Sequence, residues 1–190
     1  TEHEDGLHAL MVIDIDNFKS INDVYGHTMG DHVISVIAGV ISSQFRSTDY
    51  VGRMGGDEFA VLMGDIPSKE IALIKAENLV NLVKYKENLS IPENISISVG
   101  IAFSDPEDHC YYDLGAKADQ GLYVSKKSGK GRYSVFGEEN QTPDQKLQAF
   151  VWSSSRNVTS MLEFALPEFV HLKKVISVEE IRENMGEKTG

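Results

Sequence analysis

The chain has 190 residues, 29 of them acidic and 18 basic, for a formal charge of −11, with 41% apolar and 25% charged side chains. Such a composition suits a folded globular domain and excludes a disordered or membrane-embedded chain, while the charge disfavours binding along a nucleic-acid backbone. The lone Cys110 excludes an intramolecular disulfide and a thiolate zinc cage, which points to a reducing, cytoplasmic setting.

No apolar run approaches the roughly 20 residues of a membrane span, and the polar first residues do not resemble a signal peptide. The expectation is a cytoplasmic protein, or the cytoplasmic portion of a larger one, without membrane contact of its own. A membrane-bound neighbouring domain is compatible with this reading.

In chain order, His8 to Ile15 is an apolar, branched run that predicts a buried strand ending in the acidic pair Asp14 and Asp16. A short helix is expected over Phe18 to Tyr25, stopped by Gly26. Val33, Ile37, Val40, Ile41 and Phe45 recur at helical spacing and predict a long helix from Asp31 to about Arg46. Tyr50 to Met54 and Phe59 to Met63 predict a hairpin around Gly55-Gly56-Asp57-Glu58, because paired glycines supply the positive φ of a tight turn.

Ser68 is placed to cap a third helix whose apolar face runs Ile71, Ile74, Leu79, Leu82 and Val83. Ile95, Ile97, Val99 and Ile101 alternate with small or polar residues, the pattern of a half-buried strand. After an acidic loop around Pro106, Leu114, Ala118, Leu122 and Ser125 line one face of a fourth helix, which runs into a basic, glycine-rich stretch from Lys126 to Arg132. Tyr133 to Phe136 closes as a short strand. This order predicts an α+β fold, a mainly antiparallel central sheet flanked by helices.

The composition changes at a polar linker, Gly137 to Gln141. Thr142-Pro143-Asp144-Gln145 then has a capping-box pattern, Leu147, Phe150 and Val151 form a stripe, and Ser177-Val178-Glu179-Glu180 is a further helix start. Two units are expected: a domain over residues 1–137, and a linker with a C-terminal helical extension of unassigned role over 138–190.

Asp14 and Asp16 end a buried strand, while Asp57 and Glu58 occupy a hairpin turn, so neighbouring strands can gather these carboxylates. Hard oxygen ligands on rigid strand ends suit Mg²⁺, which takes one or two carboxylates and leaves its other positions to water and substrate phosphates. Each acidic residue alone reads more readily as a solvated or capping side chain. Together, with apolar flanks on both sides, they form a half-buried cluster that calls for a cation.

Met54-Gly55-Gly56-Asp57-Glu58-Phe59 resembles the signature of the GGDEF family, the diguanylate cyclases of bacteria. The run from Asp14 to Asp23, followed by Gly26-His27 and Gly30-Asp31, is similar to that family's first strand and helix, and Ala118 to Lys126 resembles its last helix. The resemblance spans residues 8 to 137 in three blocks of the right order. It implies a fold like the palm of nucleotidyl cyclases and polymerases, with a ferredoxin-like core. It also implies an enzyme that condenses two GTP into cyclic di-GMP and two pyrophosphate across a homodimer interface.

By matching positions, Asp14 and Asp57 bind Mg²⁺, with Mn²⁺ as a substitute, and the Ile15 carbonyl is a third ligand. Glu58 is a further metal ligand or helps deprotonate the attacking 3′-hydroxyl, and Gly55 and Gly56 shape the catalytic turn. Asn22 and Asp31 match the positions that read guanine, where a carboxylate accepts from the N1 and N2 donors; without the family, Asp31 reads as a helix N-cap. Asn17, Phe18 and Lys19 match the β- and γ-phosphate region, and Lys126 and Lys130 match its basic positions. Lys130 replaces the more usual arginine, a point charge in place of a bidentate fork. Arg46-Ser47-Thr48-Asp49 looks like the family's RxxD product-inhibition site, with Arg46 and Asp49 as contacts for cyclic di-GMP.

The family's D-x-L-T-x-L-x-N-R segment has no counterpart before His8, so the domain is expected to be short at its N-terminal edge. The rival expectation is a family member without catalysis that binds GTP or cyclic di-GMP as a regulatory module. The intact Asp14, Asn22 and Gly55 to Phe59 weigh against it.

Overall fold

The computed structural model describes residues 6–85, 89–92, 95–105 and 111–137; the expected acidic loop at 106–108, the linker from residue 138 and the tail helices lie outside them. The elements are β1 (Ala9–Ile15), α1 (Phe18–Tyr25), α2 (His27–Gln44), β2 (Tyr50–Gly55), β3 (Glu58–Met63), α3 (Lys69–Tyr85), β4 (Ile97–Phe103), α4 (Tyr111–Lys127) and β5 (Tyr133–Val135). The five strands form one sheet in the order β2-β3-β1-β4-β5. All neighbours are antiparallel except β4 and β5.

Strand alternation sorts the core into two layers. Odd-numbered residues of the central strands, among them Met11, Ile13, Ile15, Phe59, Val61, Ile97, Val99 and Ile101, pack with Val33, Ile37 and Ile41 of α2 and Leu79 and Val83 of α3. Each fully buried side chain of this kind contributes roughly 1.5–3 kcal/mol. Even-numbered residues, Leu10, Val12, Ala60, Leu62 and Ala102, pack with Leu114, Ala118 and Leu122 of α4.

β4 is therefore not half-buried, as its alternation suggests, but buried on both faces through residue 102. Its small residues are not solvent-facing; they make room for α4. A Cβ on Gly100 would lie 2.0 Å from the Ala118 carbonyl oxygen and 2.1 Å from the Leu122 amide nitrogen, and Gly121 meets Gly100 from the helix side. This close approach, with the apolar layer of Leu114, Ala118 and Leu122, seats α4 on the sheet.

Two helices depart from the sequence reading. α2 begins at His27 rather than Asp31, because Gly26, at φ 82°, both closes α1 and opens α2, its carbonyl accepting the amides of Met29 and Gly30. α3 buries Ala72, Ala76, Leu79, Val80 and Val83, whereas Ile74 and Leu82 are exposed. The buried stripe runs through small alanines that permit close packing, so the larger side chains marked the wrong edge of the face.

Candidate active site

The even-numbered face of β1 is apolar as far as Val12 and then turns acidic. Asp14 and Asp16 follow Leu10 and Val12 on that face, and both are buried. Register places Asp14 opposite Glu58 on β3 and opposite Ser98 on β4. The β2–β3 turn brings in Asp57, whose carbonyl accepts the Ile15 amide at 3.2 Å. Gly56, at φ 55°, makes this turn, and Arg53 braces it by donating from Nε and Nη2 to the Gly56 carbonyl at 2.9 and 2.6 Å.

α4 delivers the opposing charge. Its C-terminal Lys126 donates to Asp14 Oδ2 at 2.6 Å. Burial pushes the Asp14 carboxyl up to about 6; the Lys126 hydrogen bond and charge oppose this, while Asp57 and Glu58 add to it. The three acidic side chains thus act on one another electrostatically.

Among the described residues no group of three or more His, Cys, Asp or Glu is gathered to hold a metal ion. The donor chemistry nevertheless fits Mg²⁺, which needs only one or two carboxylates when substrate phosphates and water complete its shell. Three carboxylates, Asp14, Asp57 and Glu58, countered by the one Lys126 ammonium at Asp14 also leave net negative charge for a hard cation.

The candidate phosphate residues converge beside this cluster. Asn17 precedes α1 at φ 57° and provides no side-chain cap to the Phe18 and Lys19 amides, which as first-turn donors have no intrahelical acceptor. Asn17 Oδ1 accepts from Lys130 Nζ at 2.6 Å, which joins the glycine-rich turn after α4 to the start of α1. Lys19 is exposed.

The proposed guanine readers sit at the α1–α2 corner. Asn22 lies on α1 against Gly30, where a Cβ would come within 2.0 Å of its Oδ1, and Asp31 is the next residue on α2. Asp31 is the fifth residue of that helix, which removes its reading as an N-cap. It also lines a cleft of about 460 Å³ with Ile34, Ser35, Ser42, Arg53 and Phe59.

Arg46 and Asp49 share the turn between α2 and β2. Asp49 Oδ2 accepts the Arg46 amide at 2.9 Å, and the Arg46 carbonyl accepts the Asp49 amide at 3.0 Å. Residue-type reasoning assigned no task to Arg53, Ser96, Ser98 or Gly30. The sequence reading grouped Asp16 with Asp14, Asp57 and Glu58 in the acidic cation cluster, whereas in the structure its carboxylate accepts from Ser96 Oγ, Ser98 Oγ and the Gly131 amide.

The mostly antiparallel five-stranded sheet flanked by helices is the palm-like fold of GGDEF cyclase domains. The family model described as "Diguanylate cyclase, GGDEF domain" matches residues 1–132, and the chain belongs to the GGDEF family. It is 37% identical over 129 residues to "Probable diguanylate cyclase DgcC" of Escherichia coli K12, covering 67% of this chain and 34% of that protein. It is 38% identical over 133 residues to diguanylate cyclase TpbB of Pseudomonas aeruginosa, covering 69% and 30%. The chain thus spans about a third of the length of these two curated relatives.

Among solved structures, the active GGEEF domain of a Vibrio cholerae diguanylate cyclase superposes with TM-score 0.64 at 29% identity, covering 70% of this chain and 85% of that one. The GGDEF domain of DgcB from Caulobacter crescentus, solved in complex with c-di-GMP, gives TM-score 0.64 at 29% identity, with coverage of 70% and 79%. No described helix is long and apolar enough to cross a membrane.

Proposed function

We propose that the chain is a diguanylate cyclase that condenses two GTP into cyclic di-GMP and two pyrophosphate, each subunit of a homodimer holding one GTP. The observation that carries this reading is the pairing of Asp14 with Glu58 at the acidic end of β1 and β3, with Lys126 reaching Asp14. The proposed catalytic unit is residues 1–137.

Asp14, Asp57 and the Ile15 carbonyl are the proposed holders of Mg²⁺, with Glu58 beside them as a further ligand or as acceptor of the 3′-hydroxyl proton. Bound there, the metal offsets charge on the α-phosphate and the leaving pyrophosphate. Lys126 and Lys130 bind the triphosphate from one side and the amides at the start of α1 from the other. Asn22 and Asp31 fix the guanine edge, and Gly55 and Gly56 keep the turn free of side chains where the substrate approaches. Orientation of the 3′-oxygen of one GTP toward the α-phosphorus of its counterpart is the main contribution of the dimer.

Arg46 and Asp49 form the proposed inhibitory site for cyclic di-GMP, in which the guanidinium stacks on a base and pairs with phosphate. Incubation of the purified chain with GTP and Mg²⁺, followed by chromatography, tests the reading. Cyclic di-GMP and pyrophosphate in a one-to-two ratio are expected. GTP binding without product, from a dimeric preparation, would favour the non-catalytic regulatory module instead.

A further inference from the structure

We infer that Asp16 is the positioning residue of the triphosphate site: its buried carboxylate holds the turn after α4 in the shape that places Lys130 over the start of α1. This rests on the proposed cyclase reading and goes beyond it, since no step of that mechanism uses Asp16.

Asp16 is 2% exposed, and a carboxylate so placed is tolerated only when its oxygens are hydrogen-bonded. Oδ1 accepts from Ser98 Oγ at 2.7 Å; Oδ2 accepts from Ser96 Oγ at 2.6 Å and from the Gly131 amide at 3.0 Å. The two serine bonds join the end of β1 to the start of β4, which the strand ladder and the Asp16 amide, donating to the Ser96 carbonyl, already connect. The third bond reaches the glycine-rich turn, far along the chain.

That turn needs holding. Lys130 has φ 62°, between Gly129 at 111° and Gly131 at 58°, and a left-handed non-glycine residue is disfavoured unless its surroundings impose it. The bonds that impose it bracket the lysine. Its own amide donates to the Ser125 carbonyl at 3.0 Å, and the next amide donates to Asp16. Lys130 Nζ then meets Asn17 Oδ1, and Asn17 is itself left-handed, so two left-handed non-glycine residues face each other where the triphosphate is proposed to bind. The Asp16 carboxylate also spends its acceptor capacity on neutral donors, and Lys130 is held against a neutral amide oxygen.

The test titrates the full chain and its Asp16→Ala and Asp16→Asn variants with Mg²⁺ plus GTP and with guanosine, and follows amide hydrogen exchange at Gly131. Loss of a charge-assisted bond that fixes a phosphate ligand predicts roughly ten- to hundredfold weaker GTP binding in the alanine variant. Guanosine affinity is expected to hold within about twofold, because guanosine lacks the phosphates that Lys130 binds. Gly131 exchange accelerates in the same variant.

Asp16→Asn keeps an amide oxygen for the Gly131 N–H and offers its NH₂ to Ser98 Oγ, so its GTP affinity falls between wild type and alanine. Should the alanine variant not fold, the asparagine variant decides. Faster Gly131 exchange with GTP-selective weakening supports the assignment, and no change in either overturns it. Equal weakening of GTP and guanosine also overturns it, as the mark of a merely structural residue. A wild-type chain that binds no GTP would sink the cyclase reading, while the Gly131 exchange still decides whether Asp16 holds the turn.

Discussion

The two faces of the sheet are built from the same strands and differ in how those strands end. On the α2–α3 face, apolar side chains continue to that end of the sheet, Ile15, Phe59 and Ile97, and the strands contribute packing there. On the α4 face the apolar pattern stops at Val12 and Ala60, and Asp14, Asp16, Glu58 and Ser98 take over. α4 also approaches the β4 backbone closely, because Gly100 and Gly121 put no side chains at that crossing. The chemistry belongs where a buried face changes from apolar to acidic and a helix end is pressed against it.

The comparison can be broken most completely at the acidic end. Asp57→Ala is expected to lower cyclic di-GMP formation by at least about a hundredfold, as removal of a group that acts on developing charge does; activity near wild type in a chromatographic assay would sink the metal assignment. Gly100→Ala comes next. Its Cβ overlaps the α4 backbone at two atoms, so a stability loss of about 3 kcal/mol or more is expected in denaturant unfolding. Any folded remainder should bind GTP poorly, because Lys126 moves with α4.

The Asp14 carboxyl gives a pH-dependent test. Its folded pKa of about 6 lies above the ordinary 3.8, so the folded state holds more protons than the unfolded state in that interval. Its contribution is therefore most favourable below pH 3.8 and is lost as pH rises through 6, by up to about 3 kcal/mol. Unfolding without added metal at pH 5 and pH 7.5 should show this slope, and Asp14→Asn should flatten it. A slope that survives the substitution belongs to another group.

Arg46→Ala sharpens the contrast away from the sheet: the cyclic di-GMP concentration for half-inhibition should rise roughly tenfold, the worth of one charged contact. The smallest effect is expected on the packing face. Ile37→Val should cost about 1 kcal/mol of stability and leave GTP affinity unaltered.

Much of this organisation was legible in the residues. A continuous apolar, branched run marked β1, the paired glycines marked the hairpin, and the Gly26 stop marked the end of α1. The errors have one physical origin. In α3 and β4, alanines, glycines and serines carry weak hydrophobic signal, yet they mark where backbones approach most closely. The start of α2 was displaced for a related reason, since Gly26 serves both α1 and α2 and leaves no room for a separate N-terminal signal.

The sequence by itself determined the secondary elements, the GGDEF kinship and which carboxylates and lysines are chemically equipped for nucleotide work, because these follow from local propensity, period and residue type. Tertiary structure alone decided that Asp14 faces Glu58, that Lys126 reaches Asp14 across the sheet–helix boundary, and that Asp16 turns inward to hold Gly131. Those outcomes depend on strand register and on how closely α4 sits over Gly100. Both are set by contacts between residues far apart in the chain, which no local pattern encodes.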